Sequence, residues 1–151
     1  MRLHNAISVL FAPAVPSVLK DRLYLATNCP FAPMEVQVFS LAFALIAEQL
    51  QSHPSPDPGI YVTAIFTDTD TLSFEIDPND MGNFMPVIIY PLHKLRAQKY
   101  TDLQLLTIAL EELCHCFWAI RDEIQVTDTV FDIVHDMYPS VRKKDLYRLH
   151  P

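Results

Sequence analysis

Residues 101–123 read TDLQLLTIALEELCHCFWAIRDE, and this stretch decides the fold. Thr101 followed three positions later by Gln104 is a capping box, which predicts a helix from about Asp102 to about Ile120. At ~100° per residue, Leu103, Leu106, Leu110, Leu113, Phe117 and Ile120 fall on one apolar stripe that packs a core. Thr107, Glu111, Cys114, His115 and Trp118 form a second stripe roughly 130° away. One side of the helix is scaffold, and the other is where chemistry can sit.

Upstream, Glu35 to about Gln51 reads as a second helix, apolar nearly all round and so placed inside the fold. Asn28-Cys29-Pro30 and Pro33 break the chain before it, and Ser52–Gly59 is a loop after it. Three strands are expected next. Ile60–Phe66 is β-branched and aromatic, and Thr71–Ile76 alternates apolar with polar. The four residues Thr67-Asp68-Thr69-Asp70 suit a hairpin between them. About Met85–Tyr90 is the third strand; Pro86 and Pro91 cannot donate to a ladder, which puts it at a sheet edge. Ala6–Phe11 is expected as a strand and Ser17–Ala26 as a helix. Downstream, a shorter helix over about Thr129–Tyr138 stops before Pro139, and Ser140 is expected to cap a last segment through Tyr147. Helices and strands are segregated, so the expected class is α+β in a single domain over residues 1–151. Its core is a small, mostly antiparallel sheet of three or four strands on the long helix, with other helices flanking.

Composition closes off several functions. With 18 acidic against 11 basic residues the net charge is −7, so a nucleic acid would be repelled over most of the surface. The basic cluster Arg142, Lys143, Lys144 and Arg148 reads as a solvated helical tail. Two glycines in 151 residues exclude a glycine-rich phosphate loop. The longest apolar run, Val38–Ala47, falls far short of the ~20 residues of a membrane span. Arg2 and Ala6–Phe11 hint at a signal peptide, but Pro13 and Pro16 break it, and an uncleaved start is expected. Cys29, Cys114 and Cys116 are an odd, closely spaced set. They point to a reducing, cytoplasmic setting rather than a disulfide scaffold.

The chemistry concentrates on one turn. Glu111 and His115 are i,i+4 neighbours whose side chains meet, a geometry that suits two ligands converging on one metal ion. Glu112 projects beside them, where a general base for a metal-bound water would stand. Glu111-Glu112-Leu113-Cys114-His115 resembles the H-E-x-x-H motif of the zincin metallopeptidases, matching at Glu112 and His115 and departing at Glu111. The resemblance implies a zinc ion, Glu112 as general base, an edge strand that aligns a peptide by β-addition, and a zincin-like fold over about residues 60–138. A carboxylate at position 111 adds negative charge and lowers the Lewis acidity of a bound ion, and it is equally what a member that has lost its metal would carry.

A third ligand is open between Asp122 and Glu123, which need the chain to turn after Ile120, and Asp132, His135 and Asp136 on the next helix. Cys114 and Cys116 point some 160° apart on a helix and read as buried apolar side chains. Asp77–Gly82 imitates a calcium loop but lacks its later ligands and reads as a turn. Two functions follow. One is a small zinc-dependent hydrolase, a peptidase with Glu111, His115 and a later carboxylate as ligands. The other is a zincin-like or unrelated α+β module without catalysis that binds a protein or peptide.

Overall fold

The computed structural model describes residues 1–148. The elements run β1 (Arg2–Leu3), β2 (Leu23–Thr27), α1 (Pro33–Ser52), β3 (Val62–Thr67), β4 (Phe74–Glu75), β5 (Val87–Pro91), α2 (Leu92–Ala97), α3 (Asp102–Phe117), α4 (Glu123–Met137) and α5 (Lys143–Leu146). Short 3-10 turns cover Ser17–Leu19 and Pro78–Asp80. The α+β class expected from the sequence is what the chain adopts.

The main sheet corrects the expected one. Its order is β2-β3-β5 and both pairings are parallel: Leu23 stands opposite Val62 and Thr63 opposite Val87. The reason is the long connection between partners. The twenty-residue helix α1 fills the crossover from β2 to β3 and returns the chain to the same sheet end, whereas a tight turn would have given an antiparallel pair. The hairpin expected over Thr67–Asp70 does not form. Thr67 Oγ1 instead takes the N–H of Thr69 at 3.1 Å and the amide of Asn28 at 2.9 Å, which closes a side-chain turn beyond the sheet. The expected 71–76 strand shrinks to β4, which pairs antiparallel with β1 as a separate ribbon. The helix expected over Ser17–Ala26 is instead a 3-10 turn at Ser17–Leu19 followed by β2. Ala6–Phe11 is irregular chain, tied down where the Ile7 N–H meets the Thr27 carbonyl at 2.9 Å.

β3 is buried on both faces. Val62, Ala64 and Phe66 face α1 and α3; Phe66 stacks on Tyr90 of β5 at 5.1 Å, and both rings meet Phe39 of α1 edge-on. Ile65, on the other face, joins Ala26 and Leu3 under Leu72 and Phe74 of the ribbon. The layers are therefore ribbon, sheet, then α1 and α3, with α4 and α5 packed on α3.

Helix ends follow local chemistry. Thr101 and Gln104 form the expected reciprocal box, each bond at 3.1 Å. Asp122 accepts from the Gln125 N–H at 2.7 Å, so α4 starts at Glu123, earlier than the expected Thr129. The cap of α5 is Arg142, whose N–H is held by Asp145 at 2.9 Å, rather than Ser140. No helix among the described residues is long and apolar enough to cross a membrane.

Candidate functional site

The motif turn closes the C-terminal end of α3. The helix stops at Phe117, and Ala119 at φ 54° reverses the chain without a glycine. That reversal brings the Ile120 carbonyl back under His115, whose Nδ1 lies 2.5 Å from it. A carbonyl can only accept, so Nδ1 carries the proton and Nε2 is left facing Glu123 Oε1 at 3.7 Å. The Trp118 indole donates to the His53 carbonyl at 2.8 Å and pins the turn to the end of α1.

Glu111, one turn earlier, is half-buried and leans on α5. Burial pushes its carboxyl above the usual range, with the nearby Glu112 and Glu123 charges adding to the rise. The Tyr147 hydroxyl and the His115 ring pull the other way. The Tyr147 hydroxyl is itself buried near Glu111 and Thr127, outside hydrogen-bonding geometry with any described residue, and burial raises its pKa. Glu112 is exposed on a different flank, where its charge acts on Tyr90 and Cys116.

The expected zinc ligands therefore come together only in part. His115 and Glu123 approach each other and Glu111 stands near them. Asp122, however, is committed to the α4 cap, and Glu112 does not share their side. Asp132 and Asp136 line a cleft of about 340 Å³ with Gln49, His53 and Trp118, which neither Glu111 nor His115 lines. The His135 ring packs against Phe131 at 5.3 Å. Among the described residues, no three His, Cys, Asp or Glu side chains form a group that could hold a metal ion. As the chain stands, these side chains do not fit zinc, because they do not converge on one point. The thiols are no better placed for nucleophilic work. Burial pushes Cys114 up to about 12 and Cys116 up to about 11, and both are further raised by a neighbouring glutamate.

The carboxyl ends of the three parallel strands, where open α/β sheets bind ligands, are occupied by a clasp of the protein's own groups. Lys94 and His93 at the start of α2 both reach Asp70, at 2.9 and 3.0 Å, and hold its carboxyl below the usual range, Lys94 the more strongly.

The open surface lies elsewhere, on the outer face of the sheet. Pairing register puts Tyr24, Thr63, Ile65, Val87 and Ile89 on that face. The ribbon covers only the part at Ala26 and Ile65. Tyr24 is left 44%, Val87 38% and Ile89 49% exposed, and Tyr61, just before β3, 46%. Phe84, at 83%, stands beside them on the loop before β5. A cleft of about 480 Å³ runs between Tyr24, Tyr61 and Thr63 on the sheet and Asn83, Phe84 and Met85 on that loop. At its end Met1 and Asp80 close an ion pair of 2.9 Å. Sequence reasoning missed this surface because Tyr24 sat in a stretch read as helix. The one available signal was the uncharged run from Asn83 to Leu92. Compared with family models, curated proteins and solved structures, the chain matches none.

Proposed function

We propose that this chain is a binding module that seats an extended, largely apolar segment of a partner protein on the outer face of its sheet. One observation carries the reading. Tyr24, Tyr61, Val87 and Ile89 share one face, all more than a third exposed, and Phe84 walls a cleft beside them. Exposed apolar patches of this kind, with tyrosine at their centre, mark interaction surfaces. The test is selection from a displayed random-peptide library, followed by chemical-shift mapping on the full chain. Enriched peptides should share apolar residues and shift the amides of 24, 61–63 and 83–89. Phe84→Asp and Tyr61→Asp should weaken binding at least tenfold. Shifts centred on 111–123 instead would overturn the reading.

A second reading is a zincin-like module with a degenerate metal site. It is favoured by the setting of His115: an Nδ1–H fixed on a backbone carbonyl with Nε2 turned toward a carboxylate is how a ligating histidine is usually oriented. Its test is zinc binding by Glu111→His.

A further inference from the structure

We propose that two copies of this chain join through β5, each pairing its strand antiparallel with the other's about a twofold axis at Ile88. The two three-stranded sheets would become one sheet of six strands.

β5 is an outer strand of its sheet, and among the described residues its one neighbour is β3. The Thr63 N–H donates to the Pro86 carbonyl at 3.0 Å while Thr63 stands opposite Val87. In a parallel ladder this phase turns the main-chain groups of Pro86, Ile88 and Tyr90 toward β3, and those of Val87, Ile89 and Pro91 away from it. No loop or cap among the described residues bonds to the N–H or C=O of Val87 or Ile89. Pro91 faces outward with no N–H to offer. Within β5 the free edge is thus a window of two residues, each with one donor and one acceptor, closed at its far end by Pro91.

That window is its own complement. In an antiparallel pair, opposed residues of the narrow type exchange two hydrogen bonds. Val87 would exchange both with Ile89 of the second copy, and Ile89 both with its Val87. All four groups of each window would be satisfied without calling on Pro91 for a donor.

Side chains and charge favour the same occupant. Monomeric proteins guard free edges with charged residues, lysine above all. Here Asn83 to Leu92 (NFMPVIIYPL) carries no charge in a chain of net −7. Two like-charged copies can meet along this seam without bringing charges together. On the outer face, Val87 and Ile89 of one copy would lie against Ile89 and Val87 of the other, forming an apolar cross-strand row from residues now exposed to water. This pairing does not depend on the peptide-binding reading: it takes the main-chain edge of β5, while the cleft lies between Tyr24, Tyr61 and Thr63 and the loop residues Asn83, Phe84 and Met85, with Val87 and Ile89 bordering both surfaces.

Sedimentation and light scattering of the full chain over a dilution series test the proposal. The expected mass at the upper end is twice 17.3 kDa. Ile89→Glu and Val87→Lys should each return the mass to that of one chain while leaving the circular dichroism intact. The double variant carrying both should restore the pair, since it sets opposite charges across both contacts. Amide exchange of the unaltered chain gives a second readout should a variant misfold. The amides of 87 and 89 should be protected only at the concentrated end, and those of 88 and 90 throughout. A chain of single mass at every concentration, or a dimer indifferent to Ile89→Glu, would overturn it. Failure of the double variant to restore the pair would overturn the antiparallel register.

Discussion

Arg96 holds Glu35 in a two-pronged ion pair, Nε to Oε1 at 2.6 Å and a terminal nitrogen to Oε2 at 2.9 Å. Glu35 is 3% exposed and also accepts from the Ala32 N–H at 2.8 Å, so one carboxylate caps α1 and anchors α2. Removing the guanidinium leaves a buried charge without its partner. Arg96→Ala should cost about 3 kcal/mol in urea unfolding, near the low end for a broken buried pair because Arg96 itself is partly wet. Arg96→Lys should recover only part of this, since an ammonium cannot bridge both oxygens. A loss below about 1 kcal/mol for the alanine variant would show that water replaces the arginine.

Ala119 sits at φ 54°, a left-handed conformation that penalises any residue with a Cβ. Ala119→Gly should stabilise the fold by about 0.5–1 kcal/mol after allowing for the greater freedom of glycine in the unfolded chain. Thermal unfolding should rise by about 1–4 °C. An unchanged or lower midpoint would mean that the turn relaxes.

Glu111 gives a pH dependence of defined sign. Its folded carboxyl is raised, chiefly by burial, above the ordinary value of 4.5. The folded chain therefore keeps a proton that the unfolded chain releases. The contribution is fully present below the unfolded value and is lost as pH rises through the folded one. Glu111→Gln mimics the protonated form at every pH. Because the group is only half-buried, solvent screens the effect, and the melting point should gain on the order of 1–2 °C at neutral pH. Below about pH 4 the gain should vanish. A gain that is constant across the range would place its cause outside this ionisation.

Zinc distinguishes the motif turn from a working centre. After dialysis against the metal, the unaltered chain should retain well under one equivalent. Glu111→His sets two imidazoles one turn apart with Glu123 near the second, and should retain about one equivalent. If the variant also fails to bind, His115 is a helix-end clip and nothing more. Stoichiometric zinc on the unaltered chain would instead revive the peptidase reading.

Much of the scaffold was legible because its signals are local. Thr101 and Gln104 fixed the start of α3, and Leu106, Leu110, Leu113 and Phe117 lie buried as the helical stripe requires. Pro86 and Pro91 marked β5 as an edge, which it is. What escaped was non-local. Nothing within LYLAT says that it pairs with a segment beyond a twenty-residue helix, and leucine and alanine there read as helix until β3 supplies a neighbour. The candidate site divides in the same way. The meeting of His115 with its own turn is a matter of a few residues. Asp122 looked like a ligand because nothing in the sequence revealed that α4 would begin at Glu123 and need it as a cap.

The parallel order of the main sheet also governs how the chain must assemble. Leu23 meets Val62 only after everything between them is placed, and Thr63 meets Val87 across another long excursion. No strand of this sheet can zip from an adjoining turn, so loop-closure entropy is lost before any sheet contact repays it. Helices α1 and α3, whose own main-chain hydrogen bonds are local, can form early. The uncharged β5 segment then waits for β3 to be delivered, and during that interval its apolar side chains and unpaired backbone are open to the wrong neighbour. Refolding yield should therefore fall with chain concentration more steeply than the stability of the finished fold alone would suggest.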